Sequence, residues 1–97
     1  MARFVLLHVR GPAVPDRLAV GDRRASPSTT RFLQRRHAAG ELVAAGPFED
    51  TEGSGMTILD VESLEEAVRL ATQDDRSVVD GVLAVTVRPW RVVLSRD

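Results

Sequence analysis

The chain has no cysteine, no lysine and no tyrosine. Without cysteine there are no disulfides, no thiolate nucleophiles and no thiolate metal sites. Without lysine, all 13 basic residues are arginine, and no side-chain amine is present to form a Schiff base. Without tyrosine there is no phenolic acid. Only His8 and His37 have ordinary titration ranges near neutral pH. A general acid or base must therefore be one of these, a carboxylate or a held water. Long apolar runs are missing too. Phe4–Leu7 and Val82–Val85 are the longest kind present, far short of a bilayer span, so no membrane partner is expected. No small-residue cleavage site follows the first apolar run, so no signal peptide is read and cytoplasmic residence is expected.

What is present fits one ordinary domain. The 97 residues are 43% hydrophobic and 28% charged, enough for one core over residues 1–97. A net charge of −1 provides no global field for nucleic acid. Charge is nevertheless uneven: residues 1–40 hold eight Arg and two acids, whereas residues 41–75 hold ten acids and one Arg. Such segregation suits a solvated surface with two differently charged sides, or patches that help two copies associate.

Phe4-Val-Leu-Leu-His-Val9 reads as a strand ended by Gly11-Pro12. Gly11 to Ala25 reads as a long loop. Ser26-Pro27 then opens a helix that Gly40 stops, with Phe32 and Leu33 as its apolar stripe and Arg31, Gln34 and Arg35 toward water. Glu41–Ala45 and Met56–Val61 are short strands on either side of an acidic, Gly-rich turn. Ser63-Leu-Glu-Glu66 is a capping box, and Leu64, Ala67, Val68 and Ala71 follow it as a core face at helical spacing. After a turn from Ser77 to Gly81, a last strand starts at Val82 and is expected to run past Pro89 to Leu94, with the proline marking an edge or a bulge.

The order β-α-β-β-α-β is the α+β, ferredoxin-like arrangement. Two helices cover one face of its sheet, yet the first and last strands are apolar at both parities, as in strands buried on two sides. A second copy of the chain is the simplest cover, so a homodimer is expected.

Together these segments resemble the YCII-related (YciI-like) family of the dimeric α+β barrel superfamily. The likeness rests on Phe4-Val-Leu-Leu-His8 before Gly11-Pro12, Phe32-Leu33 ahead of Ala39-Gly40, and Leu42-Val-Ala-Ala-Gly-Pro47. It continues through Glu62-Ser-Leu-Glu-Glu-Ala67, Asp75 six residues before Gly81, and Val85-Thr-Val-Arg-Pro-Trp90. The resemblance implies dimerisation through the open sheet face and one pocket per protomer between helices and sheet. It also implies an active-site pair made of a His on the first helix and an Asp after the second. One relative is a dehydrochlorinase of chlorinated hydroquinones. Here Asp75 matches the family's Asp, followed by Arg76 where Pro is usual, while the family's His falls on Thr29. Thr29 cannot titrate near neutral pH, and His37 lies about 12 Å further along the helix.

Asp75 is thus the first catalytic candidate. Placed at a helix C-terminus, it faces an unfavourable dipole, and burial there raises a carboxyl's pKa. The alternative is an exposed carboxylate or one paired with Arg76. His8 is the second candidate, a titratable group on an apolar strand where a lone His is more often a hydrogen-bonded core residue. Thr29 and Ser28 are candidate polar contacts for a ligand or water, with helix-start chemistry as the alternative. Phe32 and Gly46 complete the expected substrate-binding set. Trp90 with Arg88 and Arg91 suits either a planar anion or an interface. His37 and Glu41 have ligand-like spacing, but Gly40 breaks the helix between them, so neither metal nor cofactor is expected.

Two functions follow. One is proton-transfer chemistry of the lyase, isomerase or dehydratase type on a small, aromatic or polyketide-like molecule. The other is a non-catalytic binding or accessory role after loss of the helix histidine. RNA binding is disfavoured because the Met56–Val61 strand lacks the aromatics that stack bases.

Overall fold

A computed structural model describes residues 2–12, 27–51 and 53–96, with residues 27–29 described by their backbone alone. The elements are β1 (Ala2–Arg10), α1 (Pro27–Ala38), β2 (Leu42–Pro47), β3 (Gly55–Val61), α2 (Leu64–Gln73), a short α3 (Arg76–Val79) and β4 (Leu83–Trp90). The strands form one antiparallel sheet in the order β2-β3-β1-β4. This is the expected βαββαβ arrangement with one helical turn added where a plain turn was read.

Alternation along β1 sets the two faces. Phe4, Leu6 and His8 are buried beneath the helices, while Arg3, Val5 and Leu7 face the other way and are half-buried. On the helix side Phe4 and Leu6 meet Leu59 and Val61 of β3, Phe32 of α1, and Ala67, Leu70 and Ala71 of α2. Each large side chain enclosed there contributes about 1.5–3 kcal/mol. The register puts Val5, Leu7, Met56 and Ile58 on the opposite face, and no element among the described residues packs over them.

α2 packs on a different stripe from the one expected. Ala67 and Ala71 are buried as read, but Leu70 completes the face, and Leu64 and Val68 are 44% and 39% exposed. Two stripes share the two alanines, and periodicity cannot rank them. Packing over β4, β3 and β1 selects the one that carries Leu70. Ser63 caps this helix by accepting the Glu66 N–H at 3.1 Å. The Glu66 carboxylate does not return to Ser63 but grips Arg69 one turn on, so only half of the capping box forms. α1 ends as read, with Gly40 in the left-handed region at φ +76°. The Ser26 cap lies outside the described residues.

β4 is an edge strand, consistent with Pro89, but it ends at Trp90 and not at Leu94. Trp90 pairs with Arg3 at the start of β1, so little partner backbone remains for a longer ladder.

Gly11 closes the end of β1 against the approach to β4. Its N–H donates to the Val82 carbonyl at 2.8 Å, and a Cβ there would lie 2.1 Å from the Gly81 oxygen. Gly11→Ala is therefore expected to cost about 3 kcal/mol, read as a lower urea midpoint. A neutral substitution would show that this corner yields freely.

Candidate acid-base site

Among the described residues, four buried polar side chains lie beside the apolar core: His8, Thr57, Asp75 and Ser77. β1 delivers His8, because its even parity points to the helices. Asp75 arrives from the junction between α2 and α3, 67 residues later, and is wholly buried. His8 Nε2 and Asp75 Oδ2 stand 3.8 Å apart. That is too long for a hydrogen bond, and both atoms are closed off from solvent. Among the described residues neither atom has a hydrogen-bond partner. Buried polar atoms are rarely left so.

The backbone around Asp75 differs from expectation. Asp74 caps the end of α2, and Asp75 opens α3 as its N-cap, accepting the Ser77 N–H at 3.1 Å on Oδ1. The carboxylate therefore meets a donor at a helix start and does not simply face an unfavourable helix end. Arg76 is exposed and pairs with Asp80, so it does not neutralise Asp75.

Burial pushes the Asp75 carboxyl up, with the Asp74 charge adding to the effect, while the Ser77 N–H and the Arg35 charge pull it back. Burial pushes the His8 imidazole down. Both shifts act against charge. The carboxyl keeps its proton to higher pH than a free Asp, and the imidazole stays neutral to lower pH than a free His. The two groups approach one another as acid and base.

The two shifts have opposite consequences for stability. The Asp75 contribution is whole below the ordinary value of 3.8 and is lost as pH climbs through the raised native value. The His8 contribution is whole above 6.5 and is lost as pH falls through the lowered native value. His8→Gln is therefore expected to remove part of the loss of stability on acidification below 6.5, read from urea midpoints against pH. An unaltered profile would mean that His8 titrates like a free imidazole.

The other expected site residues fall in different places. Ser28 and Thr29 lie in the first turn of α1, and their side chains are outside the described residues. Phe32 is wholly enclosed in the core with the Arg36 guanidinium 5.9 Å from its ring centre. Phe32 packs within the apolar core beneath the helices. Gly46 is opposite Met56 on edge strand β2, on the face away from the helices, and does not join His8 and Asp75. Trp90 and Arg88 occupy that far face as well. His37 is exposed, Glu41 is paired with Arg36 at 2.7 Å, and no cluster among the described residues suits a metal.

The sequence reading missed Arg35, Arg36 and Asp74. The Arg36 guanidinium bridges Glu41 and Asp74, and Arg35 reaches the carbonyl and carboxylate of Asp74. The uneven charge along the sequence was the available signal. At these residues the basic first part and the acidic second part pair within one chain.

The model of the YCII-related domain matches residues 2–91. The chain belongs to the YCII-related family. Among solved structures, this YCII-related chain is similar to the 5-chloro-2-hydroxyhydroquinone dehydrochlorinase of Burkholderia phenoliruptrix AC1100, in complex with 2,5-dihydroxybenzoquinone. That match has a TM-score of 0.62 at 14% identity and covers 91% of this chain and 93% of the other. At that identity the likeness establishes the fold. No curated protein matches the chain.

Proposed function

We propose that this YCII-related protein is an acid-base enzyme of the lyase, isomerase or dehydratase type. It acts on a small, ring-bearing molecule with an ionisable hydroxyl. Asp75 is the proton carrier and His8 its partner, with Ser28 and Thr29 as polar contacts at the start of α1. The observation that carries this reading is the buried pair itself, 3.8 Å apart with Oδ2 and Nε2 both unpaired. A carboxyl that keeps its proton to higher pH and an imidazole that stays neutral supply an acid and a base to one ligand that opens the buried site to reach them. The ligand named for the similar dehydrochlorinase, a dihydroxybenzoquinone, has hydroxyls of the ionisable kind.

The proposal includes a homodimer. Val5, Leu7, Met56 and Ile58 form an apolar patch at the centre of the far sheet face, and a second copy covers it most simply. Cytoplasmic residence belongs to the same reading, since a cysteine-free chain forgoes nothing in a reducing compartment.

A second reading, a binding or accessory protein, draws on Thr29, which stands where the resemblance puts the family's histidine. One experiment separates the two. Hydroxylated benzenes and quinones, including 2,5-dihydroxybenzoquinone, are screened by thermal shift, and those that bind are incubated with the protein in deuterated buffer. An acid-base enzyme speeds deuterium uptake or loss of a leaving group in at least one ligand. Binding with no such acceleration in any ligand would favour the accessory role.

A further inference from the structure

The turn that buries Asp75 is held from outside by α1. The carbonyl of Asp74, at the end of α2, would otherwise be one of the unsatisfied acceptors that every helix terminus leaves. Arg35 Nη2 donates to it at 2.6 Å and also lies 3.4 Å from Oδ2 of the same residue. Arg36 approaches that carboxylate oxygen at 3.3 Å while its other arm holds Glu41 at 2.7 Å. The next residue, Asp75, leaves in an extended conformation at φ −102° and ψ 108°, and its Oδ1 meets the Ser77 N–H. Asp74 is thus held at its carbonyl by α1, and the Asp75 carboxylate is held at the start of α3.

We infer that Arg35 is a positioning residue for Asp75: its grip on the Asp74 carbonyl and carboxylate fixes the turn that carries the Asp75 carboxylate inward to His8. This deepens the acid-base reading and rests on it. Arg35 has a second influence, because its charge opposes the effect of burial on Asp75. The charged groups around Asp75 come from every described element packed there. They are His8 from β1, Arg35 and Arg36 from α1, Asp74 from the end of α2, and Arg76 and Asp80 from α3. Arg76 and Asp80 are exposed and engaged with each other, and Arg88 of β4 lies on the far sheet face. Among the described cations, Arg35 is the one that holds the main chain next to Asp75. Arg36 is shared between Glu41 and Asp74 over the Phe32 ring.

The test follows the Asp75 carboxyl carbon and the His8 ring by NMR titration in the intact protein, with Asp75→Asn assigning the carboxyl signal. Arg35→Gln should raise the Asp75 midpoint, because the guanidinium charge that opposes burial is gone. Arg35→Lys, which keeps a charged donor, should recover most of that shift. Arg69→Gln removes an exposed pair elsewhere on α2 and should leave Asp75 unmoved. An Asp75 midpoint unchanged in Arg35→Gln, or displaced as far in Arg35→Lys, would overturn the inference. That result would leave the role of Asp75 itself standing, since proton transfer is tested separately by turnover of Asp75→Asn.

Discussion

Asp75→Asn is expected to lower turnover by about two to four orders of magnitude while the protein stays folded. Asparagine has nearly the same shape, and its amide oxygen can still accept the Ser77 N–H that Oδ1 accepts at 3.1 Å. As an N-cap, asparagine is as effective as aspartate, so α3 keeps its start. What disappears is the ability of the second atom, now an amide nitrogen, to take up and release a proton opposite His8. A buried carboxyl whose pKa is pushed up also costs stability when it ionises. The variant should therefore lose less stability than the parent as pH rises above 3.8. The comparison requires initial rates on a ligand that exchanges deuterium, with circular dichroism melts of both proteins. Undiminished rates in a folded variant would take Asp75 out of the chemistry.

Phe32→Ala should destabilise the protein by about 3–5 kcal/mol, a large share of the total that a domain of this size commands. The ring is fully enclosed and is the largest wholly buried side chain among the described residues. It fastens α1 to the sheet, and the Arg36 guanidinium rests over it. Its loss therefore leaves a cavity and also slackens the helix that holds Asp74. Urea unfolding of parent and variant gives the difference directly. Ligand contact was the role expected for Phe32, and the same experiment discriminates it. A contact residue would show its loss in KM with a near-native urea midpoint, whereas a core residue loses the midpoint first.

The element order and the helix ends set by local chemistry are legible in the residues alone. Gly40 ends α1 and Ser63 caps α2, because each signal acts within a few residues of itself. Asp75 is singled out by the resemblance to the YCII-related family, and His8 as one of two histidines. That these two side chains meet depends on the folded sheet, since 67 positions separate them and no local pattern records which strand parity faces the helices. The choice of Leu70 over Leu64 and Val68, and the end of β4 at Trp90, were likewise set by neighbours: the sheet under α2 and the end of β1. The clasp of Arg35 and Arg36 on Asp74 was invisible for the same reason. A charged side chain on a helix looks solvated until the fold brings an opposite charge within its reach.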